Sequence, residues 1–137
     1  MQVKPLTHEI EVFVEVPIYP SEAPDKVRLA VEKLLPEIRV EPLRSEPTRL
    51  EGRSNDGKCL SRIYSQLRSR ATLGVARRLL SEHATETSTW IFFNKQAAFM
   101  GTAAICEEEG ESPLGPIRVT VSIKNIRDFI DWLAPMV

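Results

Sequence analysis

Residues 9–16 read EIEVFVEV, and residues 21–36 read SEAPDKVRLAVEKLLP. In the first stretch Ile10, Val12, Val14 and Val16 point one way, while Glu9, Glu11, Phe13 and Glu15 point the other. A period of two marks a strand with one face on a core and one mostly wet. In the second stretch Val27, Ala30, Val31, Leu34 and Leu35 make a single stripe at helical spacing. Ser21 is the expected cap, Pro24 suits the first turn, Asp25 sits at the favourable dipole end, and Pro36 discourages continuation. One-sided strands alternating with one-sided helices require the helices to cover one face of a sheet.

The rest of the chain extends this pattern. IRVEPL (38–43) and TRLEGR (48–53) read as short strands joined through Ser45, Glu46 and Pro47, with Pro42 placing the first at an edge or ending it early. SNDG (54–57) is a turn, and helix resumes from Lys58 with Leu60, Ile63, Tyr64, Leu67 and Ala71 as its apolar stripe. Beyond Gly74 the stripe slips to Val75, Leu79 and Leu80, which predicts a kink or two abutting helices. TSTWIFFN (87–94) and AFMGTAAIC (98–106) read as two strands joined by Lys95-Gln96-Ala97, a hairpin connection or bulge with polar tips. After the loop EEEGESPLGP (107–116), IRVTVSI (117–123) turns Ile117, Val119, Val121 and Ile123 inward as another strand. NIRDFIDWLAP caps a final helix at Asn125, buries Ile126, Phe129, Ile130 and Leu133, and stops before Pro135. The expected order is β-α-β-β-α-β-β-β-α: an α+β two-layer sandwich, mostly antiparallel sheet with helices on one face, as a single domain over residues 1–137.

Charge is distributed unevenly. The net charge is −1. Between Arg39 and Arg78, however, ten Lys/Arg face four acids, leaving the remainder of the chain acidic. Nine of those ten cations are Arg, whose planar fork pairs with phosphate or carboxylate through two hydrogen bonds. The expected contact set is Lys58, Arg62, Arg68, Arg70, Arg77 and Arg78, fanned into water as one unpaired array, with Lys95 as an addition. Tyr64 is the only ring in the segment, so contacts to RNA backbone and shape suit it better than base stacking. The bland alternative is a solvated helix face whose cations pair with glutamates elsewhere.

Catalytic material is thin. His8 and His83 are far apart, and neither has a Cys, Asp or Glu at metal-ligand spacing. Cys59 and Cys106 read as free thiols of a reducing cytosol, and Cys106 precedes three glutamates that disfavour a thiolate. No phosphate-binding loop, dinucleotide fingerprint or serine elbow occurs, no apolar run is long enough to span a membrane, and the N-terminus lacks a secretory core. No cofactor and no metal are expected.

Three stretches, NKQAAFMG (94–101), ESPLGPI (111–117) and IDWLAP (130–135), together with the looser LRSRATLGVARRLL (67–80), resemble an uncharacterised archaeal family. That family is described as predicted RNA-binding and sometimes as an exosome subunit. The likeness runs from Ile10 to Pro135, with Gly74 standing where the family usually has an acid and Ala71 where it often has Arg. The resemblance implies a fold like that of the ribosomal protein that binds five-S RNA. Together these readings point to a cytoplasmic, non-enzymatic protein that binds structured RNA. The same basic helix serves equally as a protein-interaction module, docking an acidic partner or another copy's EEEGE loop in a homodimer or an exosome-like assembly.

Overall fold

The computed structural model describes residues 9–43 and 46–136; His8, Arg44 and Ser45 lie outside them. Its elements are β1 (Ile10–Pro17), α1 (Pro24–Leu34), β2 (Glu41–Leu43), β3 (Glu46–Ser54), α2 (Ser61–Ser69), α3 (Leu73–Glu82), β4 (Ser88–Phe93), α4 (Lys95–Phe99), β5 (Ile105–Cys106), β6 (Ile117–Ile123) and α5 (Ile126–Leu133). Short 3-10 turns at Gly57–Leu60 and Glu109–Glu111 complete them. The result is an α+β two-layer structure on a six-stranded open sheet in the order β2-β3-β1-β6-β4-β5, and each strand pair is antiparallel.

The centre of the sheet is the β1–β6 pair, with Val12 opposite Val121 and Val14 opposite Val119. On the inner face these valines, with Ile91 and Phe93, meet Val31 and Leu34 of α1, Ile63 and Leu67 of α2, Leu79 and Leu80 of α3, and Phe129 and Ile130 of α5. Each such side chain contributes roughly 1.5–3 kcal/mol when fully buried. β2 lies at one edge, as Pro42 requires. β6 slots between β1 and β4, so consecutive β5 and β6 do not pair. The outer face carries Phe13, Trp90, Arg118 and Thr120, which are half-buried, and Phe92, which is buried but outside the main core cluster.

Two elements differ from the sequence reading, both through helix-end chemistry. The stretch 98–106 is not a strand, and NKQ is not a hairpin connection. Asn94 Oδ1 accepts the N–H of Ala97 at 2.8 Å and caps α4. The helix closes where Gly101 (φ 85°) donates to Ala98 O and Thr102 donates to Ala97 O. Gln66 of α2 then pairs with the backbone beyond it: its amide donates to Gly101 O and accepts from Ala103 N, filling the place of a strand partner. Only Ile105 and Cys106 remain extended.

The second difference is the break between α2 and α3, which falls at Arg70–Thr72 and not beyond Gly74. The same closure occurs there: Ala71 donates to Arg68 O and Thr72 to Leu67 O, with Ala71 in the left-handed region at φ 55°. Glycine normally takes that position, and none in the sequence marks it. The expected cap Ser21 is also displaced: α1 starts at Pro24 with Ala23 before it.

An L-residue in the left-handed region costs roughly 1–2 kcal/mol, partly offset in glycine by its larger unfolded-state entropy. Ala71 is exposed. Ala71→Gly is therefore expected to stabilise the protein by about 0.5–1 kcal/mol, read as a higher denaturant midpoint at unchanged slope.

Candidate nucleic-acid interface

The apolar stripe of α2 packs Ile63, Tyr64 and Leu67 inward. That rotation turns Arg62 outward, with Arg70 at the helix end and Lys58 in the preceding turn, all three exposed. Asp56 fixes that turn by accepting from the Lys58 backbone N–H at 2.9 Å. No hydrogen bond or ion pair engages the side chains of Lys58, Arg62 or Arg70 among the described residues.

The other four cations of the expected array have partners in their own chain. Arg68 lies over the Tyr64 ring, 3.5 Å from its centroid, and donates to the carbonyls of Tyr64, Trp132 and Leu133 at 2.9–3.2 Å. Trp132 and Leu133 end α5, where carbonyls lack helical partners and the dipole favours a cation. Arg77 joins the same helix end through Asp131 at 2.8 Å and Ala134 O at 3.1 Å. Arg78, on the exposed side of α3, bonds Glu107 at 2.5 Å and Glu82 at 3.3 Å. Those carboxylates, Glu107 first, push its pKa up further. The expected single array thus divides, because the end of α5 draws two arginines inward and the acidic loop takes a third.

Lys95 is buried at the start of α4, its side chain 4% exposed. Its ammonium donates to Pro17 O at 2.8 Å, Leu114 O at 2.6 Å and both Glu22 oxygens at 2.9 and 3.2 Å. Burial pulls its pKa down, and the bond and charge of Glu22 oppose that shift. The loop beneath is shaped to deliver Leu114 O. Leu114 and Gly115 both take positive φ, and a Cβ on Gly115 would stand 2.5 Å from Pro17 Cγ. Ser112 accepts from Lys95 N–H and donates to Gly115 O, and Gln96 donates to Pro113 O. NKQAAFMG and ESPLGPI are therefore one site in space, occupied by its own chain.

The remaining chemistry is scattered. His83 stacks on Trp90 with ring centroids 3.5 Å apart, and its Nδ1 donates to Trp90 O. Cys106 is buried opposite Phe92 and has no bond to that imidazole. Burial pushes both thiols up from an ordinary 9.0 to about 11, with Ser54 opposing the rise at Cys59 and Glu111 adding to it at Cys106. No group of three or more His, Cys, Asp or Glu among the described residues is placed to hold a metal ion, and no helix among them is long and apolar enough to cross a membrane. Arg118, outside the counted basic segment, is half-buried and rests on the Trp90 indole, a neighbour that comes from a different strand.

Two outcomes follow from these environments. Lys95→Met leaves the Pro17 and Leu114 carbonyls without their donor and Glu22 without its counter-charge, and breaking a buried pair from one side costs about 3–5 kcal/mol; urea unfolding reads the loss. The unfolded chain releases thiol protons from pH 9 upward, whereas the folded chain holds them to about 11. The stability those protons contribute is complete below pH 9 and is lost as pH rises through that window. Urea midpoints at pH 8 and 10 measure the fall, which Cys→Ala variants flatten.

The geometry can now be set beside known proteins. The model of a family described as RNA binding matches residues 11–123. A UPF0201 protein of Pyrobaculum neutrophilum is 39% identical over 129 residues, 93% of this chain and 89% of the relative. One from Methanothermobacter thermautotrophicus is 38% identical over 125 residues, 91% of each chain. Among solved structures, a UPF0201 protein from Methanococcus jannaschii superposes with a TM-score of 0.79 at 26% identity, covering 93% of this chain and 94% of that one. An uncharacterized UPF0201 protein gives 0.79 at 28%, with the same coverage. The chain belongs to this RNA-binding family, whose archaeal members carry the name UPF0201 protein.

Proposed function

We propose that the protein is a non-enzymatic RNA-binding domain that contacts the phosphates of structured RNA through the outward face of α2 and the turn before it. The observation that carries this reading is the set Lys58, Arg62 and Arg70, exposed cations whose side chains have no partner among the described residues. Partnered cations have already given up hydration and charge to their own chain, whereas these three remain to neutralise phosphate and release counterions. Arg68 and Arg77 enter indirectly, by fastening the layer on which α2 rests. Arg78 would have to exchange Glu107 and Glu82 for phosphate. A stem is the natural ligand, because phosphate contacts across an A-form helix read shape without unstacking bases. The rival interaction module, with the basic helix docked on another copy's acidic loop, would likewise have to give up the Arg78–Glu107 pair made within one chain.

The double variant Arg62→Ala/Arg70→Ala is expected to bind a hairpin RNA more weakly, by similar factors for unrelated stem sequences. Its salt dependence should also be shallower by about two in log–log slope. Filter binding across a salt series measures both. An affinity equal to that of the unmodified protein removes α2 from the interface.

A further inference from the structure

We infer that the open face of the sheet is a separate nucleobase site, where one unpaired base of an RNA stacks on the Trp90–Arg118 pair of β4 and β6. This shares with the preceding reading only its ligand class; the residues and the contact differ. Among the described strand residues, three arginines project from this face, and two are spoken for. Arg53 lies over Phe13 and bonds Glu11 at 2.7 Å, and Arg49 bonds Glu15 at 2.6 Å. Arg118 sits directly across from Glu15 in the β1–β6 register, but that carboxylate is held by Arg49.

Arg118 rests on the indole of Trp90 instead, its Cζ 4.5 Å from the ring centroid. Its Nε is buried without an acceptor, and its terminal nitrogens have no hydrogen-bond partner among the described residues. Trp90 is held from another side by the stacked His83 ring and by Phe92 at 4.8 Å between centroids. A guanidinium pre-placed on a fixed indole, with unused donors at its edge, presents a flat cationic surface of the kind on which bases stack.

The surroundings choose among ligands. Glu11, Glu15 and Glu51 lie across the neighbouring strands and oppose a continuous run of phosphates. A neutral base avoids that penalty. Ser88, Thr120 and Ser122 share the outer face and supply hydroxyls for its edge. A duplex does not offer a free base face, so the ligand is single-stranded. A second copy of the chain is disfavoured, because none of the exposed large apolar residues, Tyr19, Leu29, Val75, Met100, Leu114 and Met136, belongs to a strand of this sheet.

The test follows the two indole N–H signals by NMR, assigned with Trp90→Phe, while a mixed-sequence single-stranded oligoribonucleotide is added. Trp132, packed against Tyr64 and Phe129, is the internal reference. The Trp90 signal should shift to saturation while that of Trp132 stays in place. Arg118→Ala should weaken the oligonucleotide about tenfold. Arg118→Lys, which keeps the charge and loses the plane, should weaken it to a similar degree, with thermal melts verifying that both variants are folded. The inference is overturned if Trp90 does not respond, if folded Arg118→Ala binds as well as the parent, or if the Trp90 shift follows protein concentration without RNA. The Arg62→Ala/Arg70→Ala protein should still show the Trp90 response, so failure at α2 and failure on the sheet are read separately.

Discussion

A single buried ammonium sets the terms for one side of this molecule. Moving a lysine head group out of water is tolerable only if acceptors replace its hydration on all sides. Lys95 obtains them from the end of β1, from Glu22 before α1 and from Leu114 in the loop after β5. Three segments distant in sequence are thereby brought to one point. The cost of that arrangement appears in the backbone. Leu114 accepts a left-handed conformation, Gly115 must lack a side chain, and Glu22 is drawn under cover. α4 begins at this residue, so its placement against α1 depends on the same contact, reinforced where Lys33 of α1 donates to Phe99 O.

The other side is ruled by a complementary demand. The end of α5 presents carbonyls that no helical N–H can reach, and Arg68 and Arg77 reach them from α2 and α3. Planar guanidinium suits this task better than ammonium, since one group spans Tyr64, Trp132 and Leu133 while its face rests on an aromatic ring. The stretches by which the chain resembles its family thus meet in pairs: NKQAAFMG with ESPLGPI around Lys95, and the Arg-rich helical stretch with IDWLAP around Arg68. Their wording spells out no chemistry because its first use is to close the fold.

This explains what the sequence made legible and what it hid. Period-two and period-3.6 patterns report which face is apolar, and β1, β6, α1 and α5 were readable from that alone. Asn125 and Pro24 also fell where local chemistry puts them. Helix ends closed by backbone geometry are harder to read. Ala71 carries no mark of its left-handed φ, and Ala98 onward reads as strand only until Asn94 is recognised as a cap and Gly101 as a stop. The basic surplus was visible as a sum, but a sum does not say which cations have partners. That depends on Asp131, Glu107, Glu22 and a row of carbonyls supplied by remote segments. Arg118 lay outside the counted segment altogether.

The division of cations also constrains any RNA that uses both proposed surfaces. α2 belongs to the helical layer and Arg118 to the opposite, open face of the sheet, so a rigid stem cannot touch both across a two-layer protein. The surfaces also differ in kind. The outer face balances its arginines against Glu11, Glu15 and Glu51 and rewards a flat, neutral group, whereas the α2 face offers uncompensated charge and rewards phosphate. A ligand satisfying both therefore has two parts: a helical segment for α2 and an unpaired strand long enough to pass around the edge of the sheet. At the β4 edge, β5 pairs only at Phe92 and Phe93 and leaves the earlier part of β4 bordered by His83. A stem with a single-stranded flank meets that requirement, and a blunt duplex does not.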